Sequence, residues 1–381
     1  MDRINLLAIF GTRPEATKMA PVIMELMKDD RFETRTAVTA QHREQLDQVL
    51  EAFGIAPSFD LNLMKARQKF SYVLSEAVKG LEEIIASERP DMILVHGDTT
   101  TTFAGALAGF YGGVKVGHVE AGLRSFDKLQ PYPEEMNRKL TSSLADVHFA
   151  PTNAARDNLL RENVSPRSVY VTGNTAVDLL KYTLNKDYVF ENGFLNGIDY
   201  SKRIIAMTAH RSENLGGPME NICRAVLRLT EEHPDMELVY PVHLNPAVRE
   251  TVFRMLSGRP RVHLLDPVSV GDLHNLMDRS FLILTDSGGI QEEAPSMDVP
   301  VVVMRNVTER PEGVAAGALV VAGVEENGIY GAADAIIKDG ELYGRMARAK
   351  NPYGDGSASE RIVSALLHEF GVLRERPEDF G

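Results

Sequence analysis

Apolar residues recur in two rhythms along the chain. The first is the short continuous run, rich in Val and Ile: "NLLAIF" (5–10), "TRTAVT" (34–39), "DMILVH" (91–96), "VKVGHV" (114–119), "DVHFAP" (146–151) and "SVYVTG" (168–173). A second series follows with "RIIAMT" (203–208), "MELVYP" (236–241), "RVHLLD" (261–266), "SFLILT" (280–285), "PVVVMR" (300–305) and "ALVVAG" (318–323). Most read as strands buried on both faces. The second rhythm is the longer amphipathic stretch between them, as in "APVIMELMKDD", "YVLSEAVKGLEEIIAS" and "ENICRAVLRLTEEH". Strand and helix in alternation predict parallel sheets with right-handed crossovers.

The patterning is weakest at "KDYVFENGFLNGIDY" (186–200), which places a linker there. The expected organisation is a domain over 1–185 and a second over 201–381, each a doubly wound α/β unit of about six strands. Their functional loops should lie at the C-terminal ends of strands and face a common cleft. The last amphipathic run, "GSASERIVSALLHEF" (356–370), could close the second domain or cross back to the first.

Composition narrows the function. A net charge of −13 argues against a broad basic face for nucleic acid. An anion would have to be bound by local Arg, His and N–H groups. The single cysteine, Cys223, excludes an internal disulfide and fits a reducing cytoplasm. The apolar start of the chain is too short for a membrane span and carries no targeting pattern.

Candidate chemistry gathers at strand ends. After the first strand, "GTRPEATKMAP" offers Arg13 to a diphosphate, with Gly11 for the turn and Pro14 to open a helix. "GDTTTTF" supplies Asp98, either an N-cap or a catalytic acid. Glu120 ends a parallel strand, and Glu134 follows Pro133 in a first helical turn. Asp98, Glu120 and Glu134 thus share the loops of one domain. In the second half, "TAHRSEN" places His210 and Arg211 after a strand, "YPVHLNP" does the same for His243, and "NVTERPEG" adds Glu309 and Arg310. His210 could donate to a phosphate or transfer a proton. In "LTDSGGIQEEAP", Ser287, Gly288 and Gly289 would offer N–H groups to a diphosphate. Glu293, about 8–9 Å further along the helix axis, would take a ribose diol. The combination reads as a nucleoside diphosphate site. No P-loop, no G-x-G-x-x-G after the first strand and no Cys/His cluster is present.

Taken together, "FGTRPEATKMAPVI", "VHGDTTTTFAGALAGFY", "GHVEAGLRS", "YPEEMNR", "TAHRSEN", "YPVHLNP", "LTDSGGIQEEAPS" and "TERPEGVAAG" resemble the non-hydrolysing UDP-N-acetylglucosamine 2-epimerases. The resemblance spans nearly the whole chain, with the motifs in order. It implies two Rossmann-like domains in the B-type glycosyltransferase fold and interconversion of UDP-GlcNAc and UDP-ManNAc for bacterial surface polysaccharides. It implies loss of the C2 proton with departure of UDP, a 2-acetamidoglucal intermediate, and re-addition. Asp98, Glu120 and Glu134 would be the acid/base groups. Arg13 and His210 would stabilise the leaving UDP, Ser287, Gly288 and Gly289 would cradle it, Glu293 would hold the ribose, and Arg310 would join the substrate site. A second, activating UDP-GlcNAc would meet Gln41, Glu44, Arg67, Glu134, Arg211 and His243, with Glu44 standing where Gln is common. Neither metal nor nicotinamide cofactor is implied, and the family is commonly a cytoplasmic homodimer. A B-type UDP-sugar glycosyltransferase or a hydrolysing epimerase is the alternative.

Overall fold

The computed structural model describes residues 3–40, 43–65 and 68–381. The chain forms two compact units, one of Met1–Leu179 with Gly354–Gly381 and the other of Leu180–Tyr353. In the first, seven parallel strands, β1 (Ile4–Phe10), β2 (Phe32–Val38), β3 (Phe59–Asp60), β4 (Met92–His96), β5 (Lys115–Val119), β6 (Val147–Ala150) and β7 (Val169–Val171), stand in the order β3-β2-β1-β4-β5-β6-β7. The second unit has β8 (Arg203–Thr208), β9 (Met236–Pro241), β10 (Val262–Leu265), β11 (Leu282–Thr285), β12 (Val301–Val303) and β13 (Leu319–Val321) in the order β10-β9-β8-β11-β12-β13, again all parallel. Both are doubly wound Rossmann-like sheets, and each reverses strand order beside its first strand. The switch points therefore fall between β1 and β4 and between β8 and β11.

All twelve expected runs are strands. Burial on both faces is direct. Along β1, Leu6, Ala8 and Phe10 enter one core while Leu7 and Ile9 enter the other. Along β8, Ile205 and Met207 face one core, and Ile204 and Ala206 the other. The sequence reading missed β3, a two-residue edge strand whose Phe59 and Asp60 are not buried, so no apolar run announces it. β10, at the equivalent edge of the second sheet, is also only partly covered.

The expected linker at 186–200 does not coincide with the division observed. Those residues lie in the second unit, where Phe190 and Leu195 are core and Phe190 stacks on Tyr200 at 5.8 Å. Their lack of periodicity reflects irregular backbone wrapped onto a core by aromatic anchors. The terminal helix Ala358–Glu369 belongs to the first unit. Its Ile362, Ala365, Leu366 and Leu367 share a core with β1 and the helix Arg13–Met27.

Candidate functional site

In the first unit the loop after β1 is built tightly. A Cβ on Gly11 would overlap the hydroxyls of Thr39 and Thr101, so only glycine lets the chain pass. Thr12 caps the helix Arg13–Met27 in a capping box with Glu15. Glu15 does more than cap. Its buried carboxylate accepts from Gly11 N (3.0 Å), Thr12 N (2.8 Å) and Thr12 Oγ1 (2.8 Å), and from Thr99 Oγ1 (2.6 Å) and Thr102 Oγ1 (3.0 Å). It thereby ties the β1 loop to the β4 loop across the switch point. Burial raises its pKa even against those hydrogen bonds. The Thr12-x-x-Glu15 spacing was a legible signal; the bridge to Thr99 and Thr102 was not.

Thr99, not Asp98, caps the helix Thr100–Gly112. Asp98 is thus released from the capping role and pairs with Arg138, while Asn137 Nδ2 donates to its carbonyl at 2.9 Å. Arg13, Asp98, Thr99, Glu134 and Asn137 line one pocket of about 520 Å³ in this unit. Glu134 opens the helix Glu134–Leu144, and its Oε2 is buried without a hydrogen-bond partner among the described residues. Glu120 stands beside the pocket-lining loop rather than in its wall. It forms an ion pair with Lys18 and accepts from Asn174 Nδ2 at 3.1 Å. A Cβ built on Gly97, next to Asp98, would lie 3.6 Å from its Oε1. Glu120 holds φ at +60°, a left-handed conformation that non-glycine residues adopt rarely and often at functional positions. Lys18 escaped sequence reasoning because it lies inside the helix Arg13–Met27, whereas Asn174 directly follows the run 168–173 and could have been found by its position.

Behind these loops lie histidines that burial keeps neutral. His96 is pushed down to about 4, with the charge of Glu120, 3.9 Å away, only partly opposing burial. His118 is pushed down to about 3, and its Nε2 contacts the carbonyl of Gly97 at 2.7 Å.

In the second unit the β8 and β11 loops meet through Asp286. Its buried Oδ2 accepts from His210 N (2.8 Å), Arg211 N (2.9 Å) and Asn214 Nδ2 (3.0 Å). The His210 and His243 rings stack at 5.3 Å. Gly288 faces two guanidinium groups: a Cβ there would lie 3.5 Å from Arg310 Nη2 and 3.6 Å from Arg211 Nη2. Ser287 differs from expectation, because its N–H is already donated to Thr285 Oγ1 at 3.0 Å. The amides of Gly288 and Gly289 have no acceptor among the described residues. The two adjacent glutamates divide their tasks. Glu292 is buried and accepts from Arg310 Nε at 2.6 Å, fixing that guanidinium. Glu293 is partly buried and meets His274 Nε2 at 3.2 Å, with His274 Nδ1 held by Thr183 at 2.7 Å. The Glu293 carboxylate folds back to 3.7 Å from a Cβ built on Gly289. It is closer to the helix start than the axial spacing suggests, because helical side chains tilt toward the N-terminus. Gln41, Arg67 and the side chain of Glu44 lie outside the described residues.

Anion-compatible loops at the switch points of two parallel Rossmann-like units define a B-type-glycosyltransferase-fold enzyme. A glycotransferase of kitacinnamycin, 11% identical, shares that fold over 97% of this chain and 100% of its own with a TM-score of 0.65. The family model for UDP-N-acetylglucosamine 2-epimerase matches residues 24–367. The UDP-N-acetylglucosamine 2-epimerase of Bacillus subtilis is 52% identical over 380 residues, covering 100% of this chain and 99% of that one. The S. aureus MnaA protein, solved with UDP, is 51% identical with a TM-score of 0.92 over 100% of both chains. The Neisseria meningitidis UDP-GlcNAc 2-epimerase, solved bound to UDP-GlcNAc, is 45% identical with a TM-score of 0.89 over 96% of this chain and 100% of its own. The chain belongs to the UDP-N-acetylglucosamine 2-epimerase family.

Proposed function

We propose that the protein interconverts UDP-GlcNAc and UDP-ManNAc without net hydrolysis, by eliminating UDP to a 2-acetamidoglucal and adding it back with the opposite configuration at C2. The observation that carries this reading is the first unit's pocket, which joins a cation, Arg13, to two carboxylates, Asp98 and Glu134, beside the strained, ion-paired Glu120. A glycosyltransferase would need a site for an acceptor, and it explains several acids at the sugar less readily. An enzyme that removes and returns a weakly acidic C–H proton needs carboxylates able to give and take it. The unpartnered oxygen of Glu134 suits such a group.

UDP is assigned to the second unit. Arg211 and Arg310 would neutralise the diphosphate, the Gly288 and Gly289 amides and the Ser287 hydroxyl would bind its oxygens, and Glu293 would accept from the ribose diol. His210 and Arg13 would stabilise charge as UDP leaves. No metal or nicotinamide enters this scheme. The protein would act in the cytoplasm as a homodimer. A second UDP-GlcNAc would regulate it through Gln41, Glu44, Arg67, Glu134, Arg211 and His243. His243 stacks on His210 and Arg211 reaches Gly288, which supports coupling of that set to the diphosphate groups.

The test is incubation with UDP-GlcNAc alone in D₂O, followed by NMR. UDP-ManNAc should form with deuterium at C2. Release of free sugar and UDP as the sole products, or inertness until an acceptor is added, would refute the reading.

A further inference from the structure

Within the second unit the helix Val270–Asp278 packs beside the helix Gly288–Glu293. Its Leu276 and Met277 share a core with Ile290, and with Ala294 and Met297 just beyond that helix. His274 lies on the first of these helices and is buried. Its ring is engaged at both nitrogens, Nε2 at 3.2 Å from Glu293 Oε2 and Nδ1 at 2.7 Å from Thr183 Oγ1. The adjacent Asn275 donates from Nδ2 to the Thr183 carbonyl at 2.7 Å, so the residue that holds Nδ1 is itself tied to the helix.

One tautomer satisfies both contacts without a charge. An ionised carboxylate only accepts, so Nε2 carries the proton, and Nδ1 then accepts from the Thr183 hydroxyl. Packing alone calls for no such donor, because an apolar side chain would fill the space without burying two polar atoms.

The two oxygens of Glu293 face different groups. Oε2 meets His274, whereas Oε1 lies 3.7 Å from a Cβ built on Gly289, at the start of the helix. His274 is the one hydrogen-bond partner of this carboxylate among the described residues. A glutamate side chain is rich in rotamers, and immobilising it when a ligand arrives weakens binding. The contact with His274 does that ordering beforehand.

We propose that His274 is a positioning residue for ribose recognition. It holds Glu293 by Oε2 and so presents Oε1 to the diol of a nucleoside diphosphate whose phosphates lie at Gly288 and Gly289. The site thereby selects a ribonucleotide over its deoxy form. The inference rests on the reading of Glu293 as the ribose ligand.

The experiment is calorimetric titration of the full-length protein with UDP and with 2′,3′-dideoxy-UDP, for the parent, His274→Asn and His274→Gln. Gln reaches far enough to donate where Nε2 stood, whereas Asn keeps a polar partner for Thr183 but falls short of Glu293. The parent should prefer UDP by roughly 100-fold. In His274→Asn the preference should shrink to about 10-fold or less, and His274→Gln should stay within about 3-fold of the parent. Lost packing is common to both variants and weakens both ligands alike, so the ratio isolates the donor. A parental ratio in His274→Asn, or an equal fall in Asn and Gln, overturns the proposal. So does a further fall when His274→Asn is added to Glu293→Ala, because His274 would then act elsewhere. The ring tautomer tests the parent without any variant: a histidine ¹⁵N–¹H correlation, assigned through bonds, should show the His274 proton on Nε2, and a bare Nε2 refutes the positioning role. A parent that binds both ligands equally removes the ribose reading of Glu293 and the inference with it.

Discussion

Replacing His118 by Gln should flatten the acid sensitivity of the first unit. His118 is wholly buried on β5, and its pKa is pushed down to about 3 mainly by burial, with the contact to the Gly97 carbonyl opposing. In the unfolded chain the same group titrates near 6.5. The folded value lies below the unfolded one. Its contribution is therefore fully present above about pH 6.5 and is lost as pH falls toward the folded pKa, because the unfolded state takes up a proton that the folded state refuses. Between pH 7 and pH 5 this single group costs about 2 kcal/mol, and by pH 4 about 3 kcal/mol. Gln places an amide donor where Nε2 stood, so the Gly97 carbonyl keeps a partner while the titration disappears. His96, His148 and the carboxylates titrate in both proteins, so the difference in pH dependence isolates His118. Urea unfolding at pH 7 and pH 5, read by pulsed hydrogen exchange on peptides from β5, reports the first unit by itself. The parent should lose about 2 kcal/mol more than the variant. An equal loss in both would mean that His118 is hydrated or protonated in the native fold, and the argument from burial would fail.

Three further substitutions test the assigned roles. Glu120→Gln should cut turnover by roughly 10²–10⁴-fold while UDP binding stays near parental; C2 deuterium exchange at the parental rate would remove Glu120 from proton transfer. Glu293→Ala should weaken UDP by roughly 1–3 kcal/mol, and a calorimetric titration without such a loss would contradict the ribose assignment. Glu15→Ala leaves the loops after β1 and β4 without their shared acceptor and should destabilise the first unit by roughly 1–3 kcal/mol. If hydrogen exchange around residues 11–15 and 97–102 is unchanged, the bridge is not what holds them.

The sheets were legible because a parallel strand covered on both sides has to be apolar at successive positions, and few other structures require that. "MILVH" and "LILT" could hardly be anything else. Legibility failed where that requirement lapses. β3 is short and uncovered, so its sequence carries no apolar run. Residues 186–200 looked like a linker because irregular backbone has no period. Yet three aromatic rings, Tyr188, Phe190 and Tyr200, pin the segment, and Arg279 lies over Phe190 at 4.8 Å.

The candidate site divides along the same line. Residues that should meet a ligand, such as Arg13, Asp98, His210 and Gly288, follow strands directly, and topology alone points to them. Those that hold them in place do not. Glu15, Asp286 and Glu292 are acidic residues buried to 2% exposure or less, and composition would assign them to the surface. Each is buried because it gathers donors from loops distant in sequence: Glu15 joins positions 11 and 99, Asp286 joins 210 and 214, and Glu292 joins 310. A carboxylate can leave water only if several N–H or O–H groups converge on it. That convergence is a property of the folded loops, and a one-dimensional pattern does not contain it. In each unit the same convergence ties the loop after the first strand to its neighbour across the switch point.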